Sequence, residues 1–380
     1  MSGFSNNLLP QGLRDLLFPE TIQEETIVRK ILDSFEQFGY NKVDPPIIEF
    51  ENTLKSGLGR FGAHNIFTLM DPVSQKILGL RTDITPQVAR IATSRLSNEP
   101  RPLRLSYSGE IFRVTTNQLK PERQLFQIGA ELIGAPNIHS DLEILYMTAS
   151  TIEKLEIDSI TIDINFPSLV QNLINEEELD HDHKKEVSTA LSNKNLSKLN
   201  NKLKTVFEPF MDLTGPVNNI SKKLKNIKLS ARSKDILFKG INTATLLQSK
   251  CPQISVTIDV TENRGFNYYA GIGFTVFAIN LNKELGFGGH YILENGENAT
   301  GVSLMVDSFM KITKNAPKSK LVYIPFGIDW TKTSNLRKKG YKVLHGLEPE
   351  KHLLKEAKRL KCSHILQDKK IVCLSKENIK

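Results

Sequence analysis

Four short segments place polar or charged side chains in runs that otherwise have the composition of strands in a buried sheet. They are residues 81–85 (RTDIT), residue 113 together with 127–131, residues 264–269 (RGFNYY) and residues 288–291 (GGHY). A charged side chain on a central strand costs free energy unless it is paired or binds a ligand. One such segment alone is explained best by a structural ion pair. Four of them, three with glycines beside them, predict a pocket for a small polar ligand.

The run that starts at Leu125 predicts the floor of such a pocket. Its odd positions carry Gln127, Gly129 and Glu131, whereas its even positions are apolar. Because successive side chains of a strand point to opposite faces, Gln127 and Glu131 should point to one side across a bare glycine. A carboxylate there can accept strong hydrogen bonds from N–H groups of a small polar ligand.

The segment RGFNYYAG (264–271) holds one arginine, two tyrosines and three small residues within eight positions. It fits either a hairpin turn with incidental aromatic residues or the wall of a ligand pocket. In the second case the guanidinium of Arg264 would bind a carboxylate, and a phenol would bind a polar ring.

These segments also resemble the sequence motifs of a known family. RGFNYYAG resembles the R-G-L-D-Y-Y-x-G signature of histidyl-tRNA synthetases, and FR…ERQLFQIGAELIG resembles motif 2 of class II aminoacyl-tRNA synthetases. LPQGLRDLLFPE, LRTDITPQVARIA and GFGGHY are similar to further family segments in the same order, so the resemblance covers residues 8 to about 312. It implies an α+β, class II synthetase-like fold, in which helices flank an antiparallel sheet.

The resemblance assigns nine residues to the binding of histidine. Glu131 and Tyr269 would hold the imidazole nitrogens, and Arg113 and Arg264 would face the carboxylate. The α-amino end would face Asp83, Thr85 and Gln127, with Tyr291 nearby and Tyr268 in the same wall. Active synthetases usually carry Glu where this chain has Asp83, and a shorter carboxylate can still pair with an ammonium group.

The ATP-binding motifs depart from the family pattern. Thr115 stands where motif 2 has a carboxylate that serves the adenine end of ATP, although Arg123 is kept. The segment GVSLMVDSF puts Met305 at a motif 3 glycine and Ser308 at the arginine that binds the ATP phosphates. Because a serine cannot stabilise a phosphate-centred transition state as an arginine does, we expect a degenerate ATP site and no adenylation.

A synthetase-like chain that binds histidine without activating it resembles the regulatory subunits of ATP phosphoribosyltransferase, which are paralogues of histidyl-tRNA synthetase. The resemblance implies a hetero-oligomer with a short catalytic subunit in the first step of histidine biosynthesis, a dimer formed through the N-terminal helix and residues 43–50, and L-histidine as the regulatory ligand. It implies no cofactor and no metal. Two alternatives remain open, which are a divergent histidyl-tRNA synthetase and a binding protein that senses tRNA.

Several elements must position these residues. Apolar spacing predicts a helix from Glu20 to Phe38 that ends before Gly39, and residues 80–92 predict a strand, a turn and a helix. Ser140 and Glu143 predict a capping box at the head of a helix that extends to about Leu155. Residues 254–260 and 274–281 predict a hairpin, 286–291 a glycine-rich turn, and 301–312 a helix packed on the sheet. We expect a synthetase-like domain over residues 1–315 with a helical insertion at about 168–250, followed at 316–380 by a small α/β module that resembles a shortened anticodon-binding domain.

The composition of the 380 residues sets limits on class and partners. A hydrophobic fraction of 39% is that of a globular protein, and no apolar run reaches the roughly 20 residues needed to cross a bilayer. Between residues 184 and 240, 13 Lys/Arg against four Asp/Glu account for the net charge of +8. Few aromatic residues accompany them, so a solvated helical surface is favoured over a nucleic-acid partner. Three scattered cysteines without a C-x-x-C pair favour a cytoplasmic location and argue against a cysteine-bound metal.

Overall fold

The computed structural model describes residues 8–56, 66–114, 121–135, 138–157, 159–224, 227, 229–262, 269–278, 283–313, 320–368 and 370–374. The chain divides into two compact units, Met1–Lys314 and Asn315–Lys380. In these ranges, no helix combines the length and the apolar character that crossing a membrane would require.

The first unit is built on a large sheet with helices on both faces. Its strands are β1 (Asn41–Lys42), β2 (Ile48–Phe50), β3 (Thr68–Met70), β4 (Ile77–Leu80), β5 (Leu103–Phe112), β6 (Gln124–Ile133), β7 (Ile160–Asn165), β8 (Thr214–Pro216), β9 (Ser255–Asp259), β10 (Tyr269–Ala278), β11 (Lys283–Ile292) and β12 (Asn298–Met305). Its helices are α1 (Glu20–Gln37), α2 (Glu51–Ser56), α3 (Thr85–Ser94), α4 (Ile138–Lys154), α5 (Pro167–Glu176), α6 (His181–Ser192), α7 (Asn201–Met211), α8 (Val217–Lys223), α9 (Ala231–Lys250) and α10 (Val306–Met310).

Nine strands form the large sheet in the order β1-β5-β6-β12-β11-β10-β7-β9-β8. Among the six strands from β5 to β7 in this order, every adjacent pair is antiparallel. Parallel pairing occurs at the two ends, where β1 joins β5 and β9 joins β7. The predicted antiparallel sheet flanked by helices is therefore confirmed. Strands β2, β4 and β3 form a separate antiparallel sheet.

The two faces of the large sheet bury different sets of side chains. On one face, Ile128, Ala130 and Leu132 of β6 enter the larger core together with apolar residues of α1, α4 and α9. On the other face, Tyr107 of β5 packs with Ile84 and with α3 in a smaller core. The polar odd positions of β6 belong to this second face, which has room for a polar site.

The first helix follows its sequence pattern. Ile27, Ile31 and Phe35 of α1 are buried, as the helical spacing predicts. The helix ends at Gln37, and Gly39 then adopts a φ of +84°, a conformation that favours glycine.

The capping box at the start of the fourth helix is wrong. The helix α4 already begins at Ile138, and Ser140 is buried inside it. Glu143 instead accepts two hydrogen bonds from Arg104, at 2.7 and 2.8 Å, and one of 3.0 Å from the hydroxyl of Tyr40. A carboxylate that binds an arginine on the sheet is not available to the helix N-terminus.

Two further expectations about the sheet are wrong. The strands β9 and β10 do not form a hairpin, since β9 lies parallel to β7 and β10 pairs with β7 and β11. The segment 301–305 belongs to strand β12, and the helix α10 begins only at Val306. A continuous apolar run of this length fits a buried strand as well as a helix, so its period could not decide between them.

The insertion between β7 and β9 is mainly helical, as predicted, and consists of α5 to α9. The short strand β8 within it was not predicted. It is the edge strand of the large sheet and pairs with β9, where Gly215 lies opposite Ile258.

The second unit is a four-stranded sheet with two short helices. Its elements are β13 (Leu321–Ile324), a 3-10 helix (Trp330–Thr333), α11 (Ser334–Lys338), β14 (Lys342–His345), α12 (Leu353–Arg359), β15 (His364–Gln367) and β16 (Lys370–Cys373). The order is β14-β13-β15-β16, in which only the pair β15–β16 is antiparallel. This alternation of strands and helices is the one that the sequence predicts.

The second unit carries a large positive net charge of its own. Residues 315–380 carry 16 Lys/Arg and six Asp/Glu, a net charge of +10. Outside this unit and the segment 184–240, 21 Lys/Arg stand against 32 Asp/Glu. The positive charge of residues 315–380 is therefore offset by the negative charge of the remaining residues outside 184–240.

Candidate functional site

The odd side chains of β6 all face the side of the sheet that α3 covers, as the alternation predicts. Gln127 and Glu131 are 0% and 1% exposed. Gly129 lies between them and opposite Tyr107 of the neighbouring strand. A Cβ on Gly129 would collide with the hydroxyl group of Tyr107, so this close approach requires glycine.

Three hydroxyl groups hold Glu131. Tyr291 donates a hydrogen bond of 2.7 Å to Oε2, and Thr85 donates one of 3.0 Å to Oε1. The hydroxyl group of Tyr107 lies 3.4 Å from the same Oε1. None of the described lysines, arginines or histidines forms an ion pair with this carboxyl group.

Burial without a cation sets the protonation of this cluster. Burial raises the pKa of Glu131 to about 8, although the hydrogen bonds from Tyr291 and Thr85 act in the opposite direction. Burial likewise raises the pKa of Tyr107 and of Tyr291 well above the ordinary value, and the nearby Glu131 adds to both effects. The two phenols therefore remain donors at every physiological pH, and Glu131 is the group that can exchange a proton near neutrality.

Gln127 fixes the turn before α3. Its Oε1 accepts a hydrogen bond of 2.9 Å from the backbone N–H of Ile84. Its Nε2 donates to Asp83 Oδ1 and to the hydroxyl group of Ser303, both at 2.9 Å. Asp83 Oδ1 also accepts from the backbone N–H of Thr85 at 2.9 Å. This network holds Thr85 against Glu131, and Gln127 acts as the support of the turn.

Three glycines from three strands form the floor beside Glu131. In the sheet, Glu131 lies opposite Gly301, Gly301 opposite Gly289, and Gly289 opposite Gly273. A Cβ on Gly301 would collide with the carboxyl group of Glu131. A Cβ on Gly289 would lie 3.0 Å from the ring of Tyr269, and one on Gly273 would lie 3.1 Å from it. The side chains of Glu131 and Tyr269 can therefore lie flat across the sheet only because the residues beneath them are glycines.

The space above this floor is a nearly filled pocket with a free volume of about 10 Å³, roughly that of one water molecule, so a ligand needs a lining side chain to move aside. It is lined by Thr85, Glu131, Tyr269, Phe287, Gly288, Gly289, Tyr291, Gly301 and Ser303. A flat floor with a carboxyl group and several hydroxyl groups around it suits a small ring that carries N–H donors and acceptors.

The glycine-rich segment 286–291 is part of this floor, and its prediction as a turn is wrong. It lies in the middle of β11, between β10 and β12. His290 points to the opposite face, where its Nδ1 lies 3.2 Å from Asp141 and its Nε2 lies 3.0 Å from Asn298. Glycines that signal a turn in isolation serve here as close-contact positions within a strand.

The structure brings most of the predicted histidine-binding residues together. Thr85, Glu131, Tyr269 and Tyr291 line the pocket, and Asp83 and Gln127 form the network behind Thr85. Arg113 is not among the lining residues, and its backbone N–H donates a 2.8 Å hydrogen bond to the carbonyl oxygen of Arg123. Arg264 and Tyr268 lie outside the described residues.

Among the residues of the expected ATP site, Thr115 lies outside the described part. The guanidinium of Arg123 lies over the ring of Phe67, with 4.4 Å to the ring centroid, and its Nη1 is 3.4 Å from the carbonyl oxygen of Gln11. Ser308 lies on α10, and Met305 is the last residue of β12. The retained arginine is therefore engaged with neighbouring protein groups.

Two site residues were missed by the sequence reasoning. Tyr107 and Ser303 contact each other at 3.0 Å, and both contact Thr85. Because the sequence pattern predicted a helix over residues 301–312, Ser303 could not be assigned to a face of the sheet. Tyr107 shares a strand face with Gly109 in SYSGE, and this pairing of a large residue with a glycine was the available signal.

His183 belongs to the cap of helix α6. Asp180 caps the helix α6, and its carboxylate accepts from the backbone N–H of His183 at 2.9 Å and contacts the ring at 2.8 Å. Over the residues that the structure covers, no group of three or more His, Cys, Asp or Glu is arranged to hold a metal ion.

Comparison with known proteins relates most of the chain to histidyl-tRNA synthetases and to regulatory subunits of ATP phosphoribosyltransferase. The family model for histidyl-tRNA synthetase matches residues 12–309. A regulatory subunit of ATP phosphoribosyltransferase from Rhodospirillum centenum is 37% identical over 362 residues, which are 94% of each chain. The corresponding protein from Paramagnetospirillum magneticum is also 37% identical, over 94% of this chain and 96% of its own.

Solved structures support the same fold. A protein of Bacillus halodurans titled ATP phosphoribosyltransferase regulatory subunit/histidyl-tRNA synthetase has a TM-score of 0.81 at 20% identity and covers 94% of this chain and 97% of its own. The histidyl-tRNA synthetase of Nostoc sp. has a TM-score of 0.75 at 17% identity and covers 95% of this chain and 91% of its own. At these identities the likeness establishes the class II synthetase-like fold alone.

Proposed function

Because the chain belongs to the family of ATP phosphoribosyltransferase regulatory subunits, which share the histidyl-tRNA synthetase fold, we propose that it regulates the first step of histidine biosynthesis by binding L-histidine in the pocket around Glu131. It acts as the regulatory subunit of ATP phosphoribosyltransferase and requires a separate catalytic chain as its partner. The relatives named above, 37% identical over almost their whole length, support this role.

One observation supports histidine as the ligand above the others. Glu131 is a buried carboxyl group that is hydrogen-bonded by hydroxyl groups, faces a glycine floor and lacks a cationic partner among the described residues. A buried carboxylate without a cation is costly, and an imidazole supplies both an N–H donor and a basic nitrogen. In the bound state, Glu131 would accept a hydrogen bond from the ring and Tyr269 would complete its surroundings.

The polar end of histidine would meet the network behind Thr85. Asp83 Oδ1 is used by Gln127 and by the backbone of Thr85, whereas Asp83 Oδ2 has no hydrogen bond within the described ranges. This free oxygen suits the α-amino group. Arg113 and Arg264 remain our candidates for the carboxylate, as the family resemblance implies.

Aminoacylation by this chain is not expected. Ser308 supplies no positive charge where motif 3 normally carries an arginine, Met305 replaces a motif 3 glycine, and Arg123 is engaged with Phe67 and Gln11. The phosphates of ATP would lack the electrostatic stabilisation that adenylation needs.

Histidine can control the catalytic subunit only if it binds two states of the complex with different affinity. A coupling of about 1–3 kcal/mol is typical for such regulation and corresponds to roughly 5- to 150-fold in affinity. The 83–85 turn is a suitable relay, because it contacts Glu131 on one side and starts α3 on the other.

Self-association would use the small sheet β2-β4-β3 and the residues before it. Ile47, Ile48 and Phe50 are 41%, 41% and 44% exposed, and Met70 and Ile77 are also exposed. An apolar surface of this kind is typical of a protein–protein contact. We expect a dimer in solution that Phe50→Asp dissociates, with Leu347→Asp, at an exposed apolar residue of the second unit, as the control.

The test of the main proposal uses the full chain and a short catalytic subunit. Synthesis of phosphoribosyl-ATP is measured with and without this chain, and with histidine added. We expect activity to require this chain and histidine to reduce it, whereas the Glu131→Gln variant supports synthesis but responds to much higher histidine concentrations. Synthesis that is independent of this chain would contradict the regulatory role.

A second assay separates the alternatives. Histidine-dependent exchange between ATP and pyrophosphate by the purified chain would identify a synthetase. Binding of tRNA that is tight and weakens steeply with salt would point to a tRNA sensor, a role to which the net charge of +10 on residues 315–380 is suited. A cytoplasmic location stays a prediction, which cell fractionation can check.

A further inference from the structure

The segment 45–49 carries apolar residues of the surface that we assign to self-association, and its other side contacts the elements that hold Thr85. Ile47 and Ile48 are each 41% exposed, whereas the side chain of Glu49 is only 9% exposed. Because successive side chains of a strand point to opposite faces, Glu49 can reach α3 while its neighbours remain on the surface. The two sides of this segment therefore face two different sites.

Arg81 holds the segment from the part of the chain that precedes the turn. Its backbone N–H donates to the carbonyl oxygen of Ile47 at 3.0 Å, and its Nη1 donates to that of Pro45 at 2.8 Å. The Arg81 side chain is buried, and its Nε donates a further bond of 2.7 Å to the carbonyl oxygen of Glu110 on β5. A shift of residue 81 therefore also shifts residues 45–47.

Helix α3 holds the same segment from the part of the chain that follows the turn. Gln87 Nε2 donates to the carbonyl oxygen of Pro46 and to Glu49 Oε1, both at 2.8 Å. Arg90 forms an ion pair with the same carboxylate oxygen. Since Gln87 is 1% exposed, its two hydrogen bonds lie in a medium of low dielectric, where such bonds are stronger than in water.

The turn between these two anchors is the part of the pocket that a ligand disturbs. Thr85 donates to Glu131 Oε1, and the backbone N–H of Ile84 donates to Gln127. The pocket has a free volume of only about 10 Å³, so a ring that binds Glu131 must displace lining groups. Thr85 lines the pocket and competes with a ligand N–H group for the carboxylate. Its release from Glu131 frees the turn to move, and both anchors pass this movement to residues 45–49.

We propose that the turn 83–85 and helix α3 couple the histidine pocket to the self-association surface, so that bound histidine changes the strength of the dimer. This inference rests on the proposed function and adds to it the contact with a second copy of the chain as a regulated quantity. Coupling between two sites is reciprocal, so dimerisation must change the affinity for histidine by the same factor. Typical couplings begin at about fivefold, which is the smallest effect that we expect.

The test measures both binding events on the full chain. Sedimentation gives the dissociation constant of the dimer without histidine and with saturating L-histidine. Titration with histidine at protein concentrations below and above that constant gives the affinities of monomer and dimer. We expect both constants to change by the same factor, about fivefold or more.

Glu49→Leu is the variant that tests the route of the coupling, because it removes the contacts with Gln87 and Arg90 together. We expect the coupling factor to fall below about twofold, although the variant still binds histidine and still dimerises. Glu51→Leu is the matched control. Glu51 follows two residues later and pairs with Lys55 of its own helix α2, so this variant should keep the full coupling.

The outcomes separate this inference from the proposed function. If the unmodified chain binds histidine and dimerises, but neither event affects the other, the coupling is refuted and the histidine pocket stands. Equal coupling in Glu49→Leu and in the unmodified chain would contradict the route through α3. Should Glu49→Leu fail to fold, Arg90→Gln removes the ion pair from its more exposed side and is judged by the same factor. A chain that stays monomeric would overturn this inference alone, whereas a chain that binds no histidine would overturn both.

Discussion

The raised pKa of Glu131 predicts how the binding of histidine depends on pH. Burial places this pKa at about 8, whereas the imidazole of free histidine has a pKa of about 6.5. Between these two values, the carboxyl group is protonated and the free ring is neutral. The two partners then bring one proton to the complex, which is the number that a carboxylate–imidazolium pair contains. Binding in this range therefore needs no exchange of protons with the solvent.

Outside this range the affinity should fall. Below a pH of about 6.5 both partners are protonated, so forming the pair must release one proton. Above a pH of about 8 neither partner is protonated, so forming the pair must take up one proton. Each further pH unit costs about 1.4 kcal/mol, which is a tenfold loss of affinity. The expected profile is a plateau with a decline on both sides.

The assay is calorimetric titration with L-histidine from pH 5.5 to 9 in two buffers that differ in ionisation enthalpy. Glu131→Gln is the control, because an amide cannot titrate and the chain is otherwise unchanged. In this variant we expect the acid decline to remain, the alkaline decline to shrink to the part caused by the ligand's own amino group, and the plateau affinity to fall about tenfold. This loss corresponds to replacing a charge-assisted hydrogen bond with a neutral one, roughly 1–1.5 kcal/mol.

The pH dependence of stability without ligand is a second test of the raised pKa of Glu131. An acid whose pKa is raised in the folded state keeps its proton there and loses it on unfolding above a pH of about 4.5. The free energy of unfolding should therefore decrease as the pH rises from about 4.5 to about 8, by at most about 5 kcal/mol. Glu131→Gln should remove this dependence. Affinity that does not decline between pH 8 and 9, or declines equally in the variant, would refute the assignment of Glu131 as the proton-sharing partner.

Two further predictions concern the glycine floor and the second unit. Gly301→Ala should abolish histidine binding, because its Cβ would displace the carboxyl group of Glu131. The control Gly296→Ala should cost only about 1 kcal/mol of backbone strain and leave binding intact. Calorimetry and melting curves distinguish the two variants, and normal binding by Gly301→Ala would contradict the geometry. Burial lowers the pKa of His345, so its neutral form stabilises the fold above the ordinary pKa of about 6.5 and the second unit should lose stability as the pH falls below it. The single tryptophan, Trp330, stacks on His345 with 4.2 Å between the ring centroids, so its fluorescence during acid titration reports this loss of stability. An unchanged melting temperature of the second unit from pH 7 to 5 would contradict the prediction.

The sequence determined those features that depend on local pattern or on motif. Alternation alone placed Gln127 and Glu131 on one face, and helical spacing alone placed the buried side of α1. The order of the motifs fixed the class II synthetase-like fold, because that order reflects a chain topology shared by the family. The same motifs predicted Thr85, Tyr269 and Tyr291 as ligand contacts, and all three line the pocket.

Only the tertiary structure decided which strands are neighbours and what each side chain contacts. The glycines of 286–291 and the residues 301–305 lie in central strands whose partners are distant in the chain, and neither a turn signal nor an apolar run reveals such pairing. The same holds for the contacts of Tyr107 with Ser303 and Thr85, because they join residues that are distant in the chain. The raised pKa of Glu131 is likewise a property of enclosure, because burial acts through every element packed around the carboxyl group and not through its neighbours in sequence.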